Sequence, residues 1–237
     1  MPGNTASTVW LFDLDNTLHD AGAWIFGALN VSMGAYVQRL TGLEAEPARL
    51  LSREYWRRYG TTLLGLIRHH GVRPAEFLHD THQFPDLEQR LAGHRHDFAA
   101  LARLKGRKVI LTNAPRVYAE RVLAGLGIAR AFDGLIAIED MTMFGHLRPK
   151  PDARMLRTGA RRLGGAPSRC VLVEDTLDHL KSARRVGMGT VWMQRYVRRP
   201  PQSLALGPRV AGPGVARLTM TPAYVDRKVR RLDLLGR

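Results

Sequence analysis

Asp13 and Asp15 stand two residues apart where the apolar run Val9, Trp10, Leu11 and Phe12 ends. On an extended chain, side chains two apart point the same way. Two carboxylates about 4 Å apart repel by roughly 4 kcal/mol at an effective dielectric of 20, so the pair calls for a cation. Further along, Thr112 and Asn113 follow "VIL", and Glu174 and Asp175 close "CVLV". Between them lies "LRPKPD", whose Lys150 is flanked by prolines that stiffen its loop. Hard oxygen ligands suit Mg²⁺, which takes one or two carboxylates and keeps places for water and phosphate oxygens. A carboxylate neutralised by such an ion can attack phosphorus. A hydroxyl, backbone N–H groups and a lysine can meanwhile hold the phosphate oxygens.

These residues can cooperate only if the chain brings strand ends together. From about Asp97 onward, "KVILTN", "FDGLIAI", "CVLVED" and "TVWM" read as strands. They alternate with the helical "RVYAERVLAGLG", "DARMLRTGARRLG" and "LDHLKSARRVG". Strands alternating with helices of this length predict a parallel sheet covered on both faces, and the first apolar run belongs to it. In such a sheet, ligands bind outside the carboxyl ends of the strands, where all the residues named above fall. The stretch from Ala21 to about Asp97 is different. It reads as helix throughout, with stops at Gly42 and Gly60 and no strand-like alternation. It is therefore an insertion after the first strand.

Composition bounds the rest. A chain of 237 residues, 45% hydrophobic, can form one good-sized core plus a smaller second lobe. Nothing approaches the roughly 18 to 20 apolar residues of a membrane span, and the first residues lack the pattern of a signal peptide. One cysteine, Cys170, excludes an internal disulfide framework and fits a reducing compartment. The expectation is a soluble cytoplasmic protein that does not engage membranes. The formal charge of +15 raises the question of nucleic acid. The arginines are scattered along the chain rather than massed, which favours a solvated basic surface over a nucleic-acid site. "PPQSLALGPRVAGPG" reads as an irregular connection.

The set of motifs resembles the haloacid dehalogenase-like superfamily of phosphohydrolases. The DxDx[TV] motif is matched by Asp13-Leu14-Asp15-Asn16-Thr17, the second motif by Thr112, the third by Lys150 and the fourth by Glu174-Asp175. The resemblance implies that Asp13 is the nucleophile and an Mg²⁺ ligand. It implies that Asp15 protonates the leaving alcohol and then activates water, with its backbone carbonyl on the metal. Asp175 would be a further ligand, with Glu174 acting through water. Thr112 and Lys150 would hold the phosphate, with the Asn113 backbone N–H. Dehalogenases of the superfamily lack an acid at the Asp15 position, so phosphoryl transfer is favoured.

The fold implied is an α/β, Rossmann-like parallel sheet with an inserted all-helical cap. The core would be residues 1–18 and 98–200, the cap 19–97, and a basic tail 201–237. Within the helical-cap class, the pyrimidine 5′-nucleotidases offer the nearest resemblance. It rests on "DLDNTLHD", "YGTTLLGLI" and a His-Asp pair (His79-Asp80) in the cap, "TNA" at the second motif and "KP" at the third. The expected substrate is thus a pyrimidine nucleoside 5′-monophosphate, with His19 and Tyr59 as candidate specificity residues. His19 stands where an aromatic is usual, and Glu174 where an aspartate is. The alternatives are another small metabolite, such as phosphoglycolate or a sugar phosphate, or a nucleic-acid-binding protein on the same scaffold. Adjacent His69 and His70 point to different helix faces and read as surface groups rather than zinc ligands. Asp178 reads equally as an orienting acid or a first-turn helix charge.

Overall fold

The computed structural model describes residues 8–196 and 220–236. Two compact units divide the chain: Met1–Asp20 with Ala92–Arg237, and Ala21–Leu91.

The first unit is built on the strand β1 (Val9–Phe12), whose continuous apolar run suits a position covered on both faces. It pairs in parallel with β2 (Arg107–Leu111), which in turn pairs with β3 (Gly134–Ile136). A short antiparallel hairpin, β4 (Thr142–Met143) and β5 (His146–Leu147), stands outside the sheet. On its other side β1 pairs with β6 (Cys170–Glu174), followed by β7 (Gly189–Met193) and β8 (Arg227–Val229). The order β3-β2-β1-β6-β7-β8 reverses direction at β1, so the ends of β1 and β6 flank the crevice where such sheets bind ligands. Met141, Met155, Leu156, Leu172, Leu180 and Trp192 are among the side chains sealed in its core.

The boundaries differ from the sequence expectation in three places, the smallest being that His19 and Asp20 belong to the sheet unit. Residues 220–236, read as part of a basic tail, supply the sixth strand. Its reach was hidden because β8 has only three residues, two of them basic. At the other junction, residues 92–97 belong to the sheet unit and not to the helical one. The reason is Asp97, which is buried and accepts hydrogen bonds from the Leu232 N–H at 2.8 Å and from Arg195 at 3.2 Å. The Pro- and Gly-rich stretch 200–214 lies outside the described residues.

The helical unit contains α1 (Ile25–Thr41), α2 (Ala45–Tyr59), α3 (Thr62–His70) and α4 (Pro74–Thr81). The first two stop at Gly42 and Gly60, both left-handed (φ 70° and 83°), where a side chain would be strained. Thr61 caps α3 by accepting from the Leu64 N–H at 3.2 Å. Gly65 lets α2 and α3 approach: a Cβ there would fall 2.2 Å from Tyr55 Cγ.

The sheet unit is completed by α5 (Arg95–Arg103), α6 (Arg116–Gly125), α7 (Ala153–Arg162) and α8 (Leu177–Arg185). No helix among the described residues is long and apolar enough to cross a membrane.

Candidate active site

Asp13 continues the sheet past the end of β1, its N–H donating to Val173 O at 3.0 Å. The chain then turns at Asn16, which has a left-handed φ of 59°. This turn brings Thr17 back, and its hydroxyl donates to Asp13 Oδ2 at 3.2 Å. The other oxygen, Oδ1, accepts from Lys150 Nζ at 2.6 Å. Lys150 is 1% exposed, so its ammonium has left water almost entirely. It is held by its backbone as well as by its charge. Asn113 Oδ1 accepts from the Lys150 N–H, and Asn113 Nδ2 donates to the Lys150 carbonyl, both at 2.9 Å.

At the end of β6, Glu174 accepts a second bond from Lys150 Nζ at 2.7 Å and the Thr176 N–H at 3.2 Å. His179, in the first turn of α8, places Nδ1 3.0 Å from the same Glu174 oxygen that meets Lys150. Next to it, Asp175 carries no comparable cation; its carboxylate accepts only a 3.3 Å bond from Thr176 Oγ1 among the described residues. Carboxylate oxygens of Asp13, Glu174 and Asp175 lie within 4.8 Å of one another.

One lysine cannot neutralise three acids, two of them buried and Asp175 half-buried. Burial raises the Asp13 pKa, and the neighbouring Glu174 adds to it, pushing it up to about 6 despite Lys150. Burial and Glu174 likewise hold Asp175 well above the usual carboxylate range. For Glu174, burial is outweighed by Lys150 and His179, and its pKa falls. For Lys150, burial is outweighed by the two carboxylates, which keep the ammonium charged. This surplus of buried negative charge on hard oxygen donors fits a divalent cation of the Mg²⁺ kind. Asp175 is the best placed of the three to hold it, since both oxygens of Asp13 and both of Glu174 already accept hydrogen bonds.

Asp15 occupies a different setting. Its Oδ1 accepts from the Tyr118 hydroxyl at 2.6 Å and lies 2.9 Å from His19 Nε2. Burial, reinforced by the Asp15 charge, holds the Tyr118 hydroxyl far above the usual tyrosine range, so it remains a donor. His19 was expected to meet the substrate. It is instead 0% exposed, tucked behind Asp15 one turn back along the loop.

Sequence reasoning missed Tyr118 and His179. Tyr118 is 103 residues from Asp15, and nothing in a helix such as "RVYAERVL" marks it off from a core tyrosine. His179 carried a weak signal, a histidine five residues after an acidic strand end.

The remaining candidates fall as follows. Thr112 is buried at the end of β2, where its Oγ1 accepts from the Ala114 N–H at 3.0 Å. Asp178 sits in the first turn of α8, and the neighbouring His179 makes the contact with Glu174. Tyr59 lies in the helical unit, where its hydroxyl hydrogen-bonds His69 Nε2 at 2.7 Å. His70 pairs with the Tyr55 hydroxyl at 3.0 Å, so the adjacent histidines hydrogen-bond separate tyrosines. In the same unit, Asp80 of the His-Asp pair accepts from Arg39 at 2.9 Å.

Comparison with known proteins adds the following. A family model described as haloacid dehalogenase-like hydrolase matches residues 8–187. Phosphate metabolism protein 8 of Saccharomyces cerevisiae is 25% identical over 204 residues, 78% of this chain and 61% of the yeast protein. The fructose-1-phosphate phosphatase YqaB of Escherichia coli is 35% identical over 80 residues, 34% of this chain and 40% of that protein. The chain thus spans less than two thirds of the length of these relatives. Among solved structures, CbbY from Rhodobacter sphaeroides in complex with phosphate is 20% identical with a TM-score of 0.61, covering 97% of this chain and 96% of that one. A phosphatase from Thermococcus onnurineus is 21% identical with a TM-score of 0.58, covering 96% and 95%. The L-2-haloacid dehalogenase of Xanthobacter autotrophicus shares the fold as well, at 18% identity and a TM-score of 0.54 over 97% of each chain.

Proposed function

We propose, from the premise that this chain belongs to the haloacid dehalogenase-like hydrolases, that it hydrolyses phosphomonoesters through a phosphorylated Asp13. The observation that carries this reading is the contrast between two acids at one strand end. Asp13 is buried against the Lys150 ammonium, whereas Asp15, two residues on, is held by the neutral Tyr118 and by His19. This contrast supports reading Asp13 as the nucleophile and Asp15 as the proton carrier. A halide leaving group needs no proton, so an acid at position 15 supports ester hydrolysis over dehalogenation.

In the first step an Asp13 oxygen bonds to phosphorus, and the P–O bond to the alcohol breaks. The electron pair goes to the departing oxygen, which takes a proton from Asp15. Water then bonds to phosphorus and gives a proton to Asp15. The Asp13 O–P bond breaks, freeing inorganic phosphate and restoring both carboxyl groups. Lys150 and Thr112 hold the phosphate oxygens through both steps, and Asn113 fixes the lysine loop. Asp13, Asp175 and the Asp15 carbonyl, with Glu174 through water, would hold Mg²⁺, which would supply positive charge against the repulsion between carboxylate and phosphate.

The favoured substrate is a pyrimidine nucleoside 5′-monophosphate, supported by the resemblance in "DLDNTLHD", "YGTTLLGLI" and "TNA". A sugar phosphate is the second reading, favoured by the partial match to a fructose-1-phosphate phosphatase. The phosphate-holding residues act on every monoester alike, so discrimination must come from other side chains. Steric exclusion of a whole purine ring can supply more than the roughly 1 to 3 kcal/mol of one methylene. Phosphate release from a metabolite panel, with and without Mg²⁺, tests both readings. UMP and CMP are expected to exceed AMP and GMP at least tenfold in kcat/KM. A sugar phosphate ahead of UMP would move the substrate to the second reading, and equal rates on all four nucleotides, or phosphoglycolate ahead of UMP, would overturn the pyrimidine reading. No release from any monoester would end the phosphatase reading itself.

A further inference from the structure

The two oxygens of the Asp15 carboxylate are not equivalent. Tyr118 Oη, at 2.6 Å, and His19 Nε2, at 2.9 Å, converge on Oδ1. Oδ2 takes no hydrogen bond from any described residue, and it is not among the buried polar atoms lacking a partner, so it stays open to solvent. The two anchors come from independent elements. His19 is returned to Asp15 by the tight loop in which the Leu18 N–H donates to Leu14 O at 2.9 Å. Asp15 and His19 also form an isolated bridge across that loop. Tyr118 projects from the first part of α6 and is 3% exposed. Both anchors are buried, and only the acid keeps appreciable exposure, with 18% of its side chain accessible against 0% for His19.

A free carboxyl group turns about its terminal bond between two nearly equal orientations. Two donors on one oxygen remove that freedom and leave the other oxygen as the site of proton exchange. We infer that Tyr118 and His19 are positioning residues that pin Oδ1 of Asp15, so that Oδ2 alone exchanges a proton with the leaving oxygen and with water. The inference rests on the role of Asp15 proposed above. Positioning of this kind is worth up to about 10²-fold when a reacting group slips by about 1 Å.

The test compares two leaving groups in single-turnover formation of the phosphorylated enzyme. The alkyl ester is UMP or fructose 1-phosphate, whichever the wild type turns over faster, and the aryl ester is 4-nitrophenyl phosphate, whose leaving group needs no proton. Tyr118→Phe, which removes one oxygen atom and keeps the ring packed, is expected to slow the alkyl ester at least tenfold. The aryl ester should change less than threefold, as should KM for both. In an Asp15→Asn background the same change should have no further effect on the alkyl ester. His19→Gln, which keeps a donor at similar reach, should retain at least a third of the rate, whereas His19→Leu should lose tenfold. If His19→Leu fails to fold, the Tyr118 arm decides alone. Equal losses on the two esters, or losses that multiply with Asp15→Asn, would overturn the positioning role while leaving the phosphatase reading intact. A wild-type enzyme inert toward both esters would instead remove that reading and this inference with it.

Discussion

Charge is handled in opposite ways at the strand ends of the sheet unit and on the surface of the helical unit. Around Lys150, the paired side chains of Lys150, Asp13 and Glu174 are 1%, 9% and 1% exposed. On α2, by contrast, Arg57 and Glu54 pair at 2.8 Å with 64% and 45% of their side chains in water. Arg73–Glu76 and Arg39–Asp80 are similar. Water solvates the surface ions whether or not they pair, so each pair adds little. At the strand ends nothing replaces a lost partner, and three acids share one lysine. A fold gains nothing in stability from such a cluster that apolar side chains would not give it. The proposed phosphoryl chemistry accounts for its presence, and its cost marks the place where that chemistry would be carried out.

The largest expected effect removes the central acid. Asp13→Asn keeps the shape but loses the charge that attacks phosphorus in the proposed mechanism. Turnover should fall roughly 10³-fold or more, as when a nucleophile is deleted elsewhere. Phosphate release above a few per cent of wild type would assign the attack to another group.

Next in size, Lys150→Met should expose how tightly the cluster is bound. It strands Asp13 and Glu174 together without their shared cation. Breaking a buried pair in this way costs about 3 to 5 kcal/mol. Urea unfolding at pH 7.5 with chelator present measures it. A loss under about 1 kcal/mol would mean that water already screens the site, and the contrast with the surface would collapse.

The third effect is a pH dependence with a definite sign. Burial and Glu174 push Asp13 up to about 6, above its ordinary value of 3.8. A group whose pKa is raised on folding stabilises the native state below its unfolded pKa, and that contribution is lost as pH rises through the folded one. Asp175 shifts in the same direction. Glu174 shifts in the opposite one, but its window lies below its ordinary 4.5. The metal-free protein should therefore lose stability between pH 5 and 7.5. The whole Asp13 shift is worth about 3 kcal/mol at 1.36 kcal/mol per pH unit, and roughly half of it falls in that interval. Mg²⁺ should restore the loss at pH 7.5 and do little at pH 5. Denaturation curves at the two pH values, with chelator or with Mg²⁺, read this directly. A metal-free protein more stable at pH 7.5 than at pH 5 would contradict the raised Asp13 pKa.

How much of this could be seen in the sequence follows the same division. Strand ends were legible because buried parallel strands are continuous apolar runs, so Asp13, Thr112 and Glu174 announce themselves as polar residues where each run stops. The glycine stops of α1 and α2 were legible for a local reason, the left-handed turn. Tyr118 was not, because its bond to Asp15 joins a helix and a loop that only the folded sheet brings together. His19 drew attention, but toward a substrate: its burial behind Asp15 depends on a loop path the sequence does not state. β8 was hidden by its length and charge, and the anchoring of Asp97 to Leu232 by a separation of 135 residues.

The smallest effect is predicted on α2, and it is the sharpest check on the comparison. Arg57 donates to both oxygens of Glu54, from Nε at 2.9 Å and Nη2 at 2.8 Å, three residues apart along one helix face. That two-pronged geometry is the best a surface pair can offer, so it gives an upper limit for its kind. Even so, the coupling between Arg57→Ala and Glu54→Ala in a double-mutant cycle should come to only about 0.3 to 0.5 kcal/mol. It should shrink as salt is raised to about 1 M, where the screening length falls to roughly 3 Å. The pairs of Lys150 with Asp13 and Glu174 should keep most of their coupling in the same salt with chelator present, because buried pairs are screened much less than exposed ones. A surface coupling above about 1.5 kcal/mol, or one indifferent to salt, would show that exposure does not separate these two kinds of ion pair. The depth of the strand-end cluster would then no longer explain why its loss matters.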